Sequence, residues 1–172
     1  EKSWRELREN LGEELVNDVQ KELSGISRKE RARKMMTQVE EKLSVVSTPI
    51  WKKPIEEGQW RDTNLDSEAA EIARDIFSSI NIDTRTCYLT AQRAYKEADD
   101  HDRVDYCEGL AFPKQMGRVV RHAWIEIDGS VAELTWPWHH VDGKEALYYG
   151  VKIPDDVFYE RLEKRGEAPM LI

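Results

Sequence analysis

The stretch VVRHAWIEIDGSVAELT, residues 119–135, decides the fold because it has the pattern of a β-hairpin. Residues 119–127 are rich in β-branched and aromatic side chains, which favour a strand. Asp128-Gly129 follows, a dipeptide that favours a two-residue turn, and residues 131–135 lead back. The sequence therefore predicts antiparallel strands in this part of the chain.

The turn determines which side chains of the hairpin share a face. With Asp128 and Gly129 as the two turn residues, Ile127 pairs with Ser130. Alternation along both strands then places four side chains on one face: His122, Trp124, Glu133 and Thr135. His122 and Glu133 become diagonal neighbours, about 7–8 Å apart between backbones, a gap that long side chains can close. A shift of the turn by one residue would separate them.

A helix is expected to begin at Cys87. Asp83, Thr84 and Thr86 can each cap a helix N-terminus, so the thiol falls in the first turn. Small side chains follow it at helical spacing, at Ala91, Ala94 and Ala98. Such a stripe lets a helix lie close to a sheet. We expect it to pack on the small-residue face of the next strand, which carries Cys107.

A thiol on a helix N-terminus, followed by a histidine on a strand, is an order that several cysteine hydrolases use. The helix N-terminus and a nearby imidazolium both favour the thiolate, and can lower a cysteine pKa from about 8.5 to roughly 3.5–7.5. A carboxylate at Glu133 can hold the imidazole of His122 in the needed tautomer. For the oxyanion, the backbone N–H of Cys87 and a group from Gln59 or Trp60 are candidate donors.

Four short segments occur in a characteristic order: CYLTA (87–91), YCEGLA (106–111), HAWIEIDG (122–129) and AELTW (132–136). Together they resemble the motifs of transglutaminase-like cysteine proteins of the papain-like superfamily, in the small stand-alone form found in phage and archaeal genomes. The resemblance covers roughly residues 70–153. It implies Cys87 as nucleophile, His122 as general base and position 133 as orienting acid. This chain has Glu133 where the family has Asp.

Composition narrows the classes of function. The 172 residues carry a net charge of -8, which argues against a dedicated nucleic-acid binder and gives a weak preference for neutral or basic substrates. No apolar run approaches the roughly 18 residues that span a bilayer, so no membrane association is expected. The first residues lack a signal-peptide core, and we expect a cytoplasmic protein with free thiols.

Two alternatives concern the cysteines. A Cys87–Cys107 disulfide would replace the free thiols. A zinc site would draw on Cys87, Cys107, His122 and His139 or His140. Its ligand types are suitable, but it lacks the short paired spacing of structural zinc sites. We expect no metal and no cofactor.

The domain organisation is α+β, with N-terminal helices packed with an antiparallel sheet. We interpret residues 1–46 as a helical extension. This extension could cover the catalytic domain, bind a partner or mediate self-association. Residues 47–172 read as the catalytic domain. Within it we expect a helix over Ser67–Ser79, an antiparallel meander ending at residues 148–153, and a last helix between Pro154 and Gly166.

The sequence thus predicts a papain-like thiol enzyme that transfers an acyl group from a protein or peptide substrate through a thioester. Water would complete a hydrolase and an amine a transferase. The expected substrate contacts are aromatic or imidazole side chains: Trp124, Trp136, Trp138 and His139. The alternative is a non-catalytic protein-binding module, in which Glu133 marks a lost activity.

Overall fold

The computed structural model describes residues 37, 57–81, 86–113, 119–133, 135–136, 142–167 and 169–170. The expected helical extension, residues 1–46, lies outside the described residues except for residue 37. The elements in chain order are β1 (Gln59–Trp60), α1 (Ser67–Ser79), α2 (Cys87–Glu97), β2 (Val104–Pro113), β3 (Val120–Ile127), β4 (Ser130–Ala132), β5 (Ala146–Lys152) and α3 (Asp155–Arg165). This is an α+β arrangement. Within the described ranges, no helix has both the length and the apolar character needed to cross a membrane.

The hairpin has the predicted turn and register. Asp128 and Gly129 have φ values of 52° and 80°, and positive φ at both central residues is typical of a type I′ turn. Ile127 pairs with Ser130 between β3 and β4, which confirms the predicted register.

The described strands form one antiparallel sheet in the order β1-β5-β2-β3-β4. The expected meander is therefore wrong for the last strand, because β5 pairs with β2 rather than extending the sheet beyond β4. The connection from β4 to β5 is long enough for β5 to reach the free edge of β2. There it satisfies backbone groups of β2 that would otherwise lack partners.

The sheet curls until its two ends meet. Asp62, just after β1, forms a bridge with Ser130 of β4, and the N–H of Val131 donates to the carbonyl of Asp62 over 2.8 Å. The side chain of Arg61 reaches the buried carboxylate of Glu126 on β3 with two hydrogen bonds of 2.6 and 2.5 Å. These contacts enclose the inner face of the sheet.

Apolar side chains pack in two layers, one on each face of the sheet. The helices cover the outer face, where the small side chains Ala91 and Ala94 of α2 lie against the larger Tyr106 and Ile125. The inner face holds a second cluster of buried residues: Cys107, Ala111, Val120, Trp124, Val131, Trp136, Ala146 and Tyr148. Burying each large side chain contributes about 1.5–3 kcal/mol.

The two layers correct one expectation. Cys107 is buried, but it faces the inner cluster and not α2, so the expected packing of the helix on the small-residue face of β2 is wrong. The physical reason is that α2 is itself lined with alanine and takes large partners. The small side chains of β2 instead leave room for the aromatic rings of Trp124, Trp136 and Tyr148.

Candidate active site

Cys87 is the first residue of α2, as the sequence predicts, and Thr86 occupies the N-cap position. The side chain of Cys87 is half-buried. Its sulfur accepts hydrogen bonds from His122 and from the backbone N–H of Ala123. Since the positive end of the helix dipole also lies at this terminus, the local field favours a thiolate.

His122 and Glu133 form the buried half of the site. Each residue is 1% exposed, and Nε2 of His122 lies 2.9 Å from Oε2 of Glu133. Because Nε2 is engaged by the carboxylate, Nδ1 is the ring nitrogen left for the hydrogen bond with Cys87. The structure thus brings together all three residues of the predicted triad, in the order thiol, imidazole, carboxylate.

Three further donors hold the carboxylate of Glu133. The backbone N–H and the hydroxyl of Thr135 each donate to Oε1 over 2.9 Å. The hydroxyl of Tyr148 donates to Oε2 over 2.6 Å. Tyr148 was not identified from the sequence as part of the site. The missing signal was the strand order, since only the curl of the sheet brings β5 toward Glu133.

Opposing effects set the charges of the triad. Burial alone would raise the pKa of the Cys87 thiol, but the charge and hydrogen bond of His122 bring that pKa below its ordinary value. Burial would lower the pKa of His122, yet the charges of Glu133 and Cys87 raise it to about 10. The pKa of Glu133 falls to about 2 despite its burial, chiefly because of His122. The site therefore favours a thiolate beside an imidazolium over the neutral pair.

Aromatic rings surround the imidazole. Trp136 stacks on His122 with the ring centroids 4.2 Å apart and the planes within 16°. An imidazolium gains from this arrangement through the negative face of the indole. Trp136 is almost fully buried, so in this structure it supports the imidazole and offers little surface to a substrate.

Trp124 does not lie where a substrate could contact it. It is 1% exposed, and its indole N–H donates to Glu126 over 3.2 Å. The expected substrate contact at Trp124 is therefore corrected to a packing role beneath the site. Trp138 and His139, the other two expected contacts, lie outside the described residues.

The oxyanion donors are only partly placed. Cys87 is the first helical residue, so its backbone N–H has no acceptor within the helix, and none is found among the described residues. It is therefore a candidate oxyanion donor. Gln59 is exposed on β1, where it pairs with Gly150 of β5. Within the described part of the chain, no hydrogen bond joins the side chain of Gln59 to Cys87 or His122, and its assignment stays a prediction.

The structure bears on both alternatives for the cysteines, the disulfide and the zinc site. Cys87 and Cys107 are both free, which excludes the disulfide in this structure. Among the described residues, no group of three or more His, Cys, Asp or Glu side chains could hold a metal ion, while His139 and His140 lie outside them. Burial raises the pKa of Cys107 well above its ordinary value, so we expect this thiol to react more slowly than Cys87.

The geometry also bears on the alternative function, a non-catalytic protein-binding module. A thiol that is buried and far from the histidine would favour that alternative. Cys87 is partly exposed and hydrogen-bonded to His122, so the described site lacks that arrangement. Comparison with known proteins adds no assignment: no family model, no curated protein and no solved structure matches this chain.

Proposed function

We propose that this protein is a cysteine-dependent acyl-transfer enzyme that acts on an amide or ester of a protein or peptide through a thioester. The observation that carries the proposal is the hydrogen-bonded chain from Cys87 through His122 to Glu133. A partly exposed thiol, a protonated imidazole and a buried carboxylate in sequence are the parts that nucleophilic catalysis by a thiol requires.

In the first half of the reaction, Sγ of Cys87 attacks the carbonyl carbon and forms a carbon–sulfur bond. The backbone N–H of Cys87 donates to the developing oxyanion. The imidazolium of His122 gives its proton to the leaving amine or alcohol as the bond from the carbonyl carbon to that group breaks. A thioester on Cys87 remains, and Glu133 keeps the imidazole oriented throughout.

In the second half, water or an amine gives a proton to the neutral imidazole and attacks the thioester carbon. The carbon–sulfur bond breaks, and the thiolate and imidazolium are restored. Water yields a carboxylic acid and an amine yields a new amide, so both a hydrolase and a transferase are consistent with the site.

The papain-like, transglutaminase-like assignment is part of this proposal and is supported by the order of the motifs and by the triad. The family has Asp where this chain has Glu133, and the longer side chain changes the reach of the carboxylate. The three donors from Thr135 and Tyr148 support a working glutamate, because they hold both carboxylate oxygens in place.

The proposal is tested with p-nitrophenyl acetate, an activated ester that needs no substrate-specific contacts. We expect a burst of nitrophenolate and an acetyl adduct on the Cys87 peptide by mass spectrometry. The adduct should be absent in Cys87→Ala and strongly reduced in His122→Ala. The buried Cys107 serves as the internal control. Acetylation of both cysteines at similar rates, or of neither, would argue against a catalytic thiol.

A further inference from the structure

Two buried hydrogen-bond donors lie beside the triad without a partner among the described residues. They are the hydroxyl of Tyr88 and Nε of Arg121. Tyr88 follows the nucleophile Cys87 on α2, and Arg121 precedes His122 on β3. An unsatisfied buried donor costs about 1–3 kcal/mol, so a ligand that accepts hydrogen bonds from these two groups would be stabilised there.

The two side chains face one another. The guanidinium carbon of Arg121 lies 5.8 Å from the centroid of the Tyr88 ring. Both residues keep some exposed surface, while the two unsatisfied donor atoms themselves are buried. They therefore form the edge of the site rather than part of its core.

The local charge suits an anion. In the described ranges Arg121 makes no ion pair, unlike Arg61 and Arg103, whose carboxylate partners are in place. Burial raises the pKa of the Tyr88 phenol, so it remains a neutral O–H donor. Arginine donors in a partly dry site are well matched to a carboxylate.

Two negative charges, those of Glu108 and Cys87, also act on the Tyr88 phenol. Cys87 is the group that reacts with the substrate, so Glu108 is the competing acceptor to consider. It is fully buried, and its Oε1 accepts from the hydroxyl of Tyr106 over 2.7 Å and from the backbone N–H of Met170 over 2.5 Å. Its carboxylate thus has donors of its own and leaves the Tyr88 hydroxyl and Arg121 to another acceptor.

We propose that Tyr88 and Arg121 bind a carboxylate of the acyl substrate, close to the carbonyl that Cys87 attacks. The enzyme would then prefer substrates with an acidic group at this position, against the weak preference that its net charge of -8 suggests. This inference rests on the proposed function, because it needs Cys87 to react with the bound substrate.

The test uses alkylating reagents in matched pairs, one anionic and one neutral. Iodoacetate is compared with iodoacetamide, and N-iodoacetylglycine with N-iodoacetylglycinamide, so that the carboxylate is presented at two distances from the sulfur. The rate constant for Cys87 is read from peptide masses, and the ratio of the anionic to the neutral reagent is formed for each protein. This ratio cancels changes in the reactivity of the thiol itself.

We expect at least one anionic reagent to be favoured in the wild type and the ratio to fall about tenfold or more in Arg121→Met. Arg121→Lys should retain part of the preference, because it keeps the charge and loses the planar fork. Arg74→Met removes the same charge from the exposed face of α1 and should leave the ratio unchanged. Tyr88→Phe should lower the ratio without lowering the melting temperature, since its hydroxyl has no hydrogen-bond partner among the residues that the structure describes.

An unchanged ratio in Arg121→Met, or an equal fall in Arg74→Met, would overturn the carboxylate site and leave the proposed function intact. Failure of the proposed function is a separate outcome. In that case Cys87 would react with iodoacetamide no faster than an ordinary thiol in every protein.

Discussion

At the scale of single residues, Glu133 determines the charge of the site. Its carboxylate stabilises the imidazolium of His122, while its own charge opposes the thiolate of Cys87. The effect on the imidazolium is the stronger of the two, because Glu133 is in direct contact with the imidazole over 2.9 Å. The glutamate therefore acts through the histidine, as a positioning residue.

The Glu133→Gln substitution keeps the size of the side chain and removes its charge. Because Glu133 helps raise the pKa of His122 to about 10, we expect that pKa to fall toward its ordinary value near 6.5. The imidazolium would then be lost at lower pH. An NMR titration of the His122 ring measures the change, and the exposed carboxylate variant Glu163→Gln is the control. An identical titration in Glu133→Gln and the wild type would refute this account of the charge.

Tyr148→Phe removes one donor from Glu133 and leaves the ring that packs against Trp124 and Trp136. A buried hydrogen bond to a charged group is worth about 1.5–3 kcal/mol, and we expect a loss of that size in the free energy of unfolding. Tyr159→Phe, which removes the hydroxyl of an exposed tyrosine on α3, is the control and should cost less. Denaturant unfolding measures both, and equal costs would show that the Tyr148 hydroxyl is not a specific support for Glu133.

At the scale of elements, the pairing of β2 with β5 depends on two facing glycines. Gly109 pairs with Gly150. A Cβ added at Gly150 would lie 2.4 Å from the carbonyl oxygen of Glu108 and 2.6 Å from the Trp124 ring. Neither neighbour can move freely, because one is strand backbone and the other is buried. The two strands therefore approach as closely as they do only without a side chain at Gly150.

We expect Gly150→Ala to destabilise the protein by about 1–3 kcal/mol through overpacking, and to disturb the position of Tyr148 on the same strand. Gly129→Ala provides the comparison: its added Cβ meets no atom within 4 Å, and only its φ of 80° is unfavourable. Thermal unfolding and Cys87 alkylation would be measured for both. Normal stability and reactivity in Gly150→Ala would contradict the claim that the close approach of β2 and β5 depends on the absence of a side chain at Gly150.

The sequence predicts local elements of this fold better than their assembly. The Asp128-Gly129 turn gave the register of β3 and β4, and with it the contact between His122 and Glu133, because both follow from a two-residue loop and alternation. The bounds of α1 and the start of α2 also agree with the prediction, because helices are marked by local sequence signals such as N-capping residues. The partner strand of β5 could not be predicted, because pairing between distant strands is not determined by local sequence. Tyr148 was missed for the same reason.

At the scale of the whole molecule, the curled sheet is closed by the ion pair of Arg61 and Glu126. The side chain of Glu126 is fully buried, that of Arg61 is 11% exposed, and the two groups meet through two hydrogen bonds. Glu126 also accepts from the Trp124 indole, which lies in the inner cluster with Trp136. Closure of the sheet is thus connected through aromatic packing to the imidazole of His122.

Removal of one partner should be costly, because it leaves a buried charge without its counter-ion. We expect Arg61→Met to lower the free energy of unfolding by about 3–5 kcal/mol. Arg103→Met is the matched control, since Arg103 pairs with Glu68 and Asp128 at the surface, where such pairs contribute about 0–1 kcal/mol. Chemical denaturation compares them. A small effect at Arg61, similar to that at Arg103, would show that this ion pair does not hold the sheet closed.

The central claim, an activated pair of thiolate and imidazolium, is tested most directly by iodoacetamide labelling of the native protein across pH 5–9. The labelling of Cys87 and Cys107 is read separately, in the wild type and in His122→Ala. We predict fast labelling of Cys87 below pH 7, its collapse in the variant, and slow labelling of buried Cys107 in both, which also reports that both proteins remain folded. A Cys87 rate that rises with pH in both proteins, like that of a free thiol with a pKa near 8.5, would contradict the account.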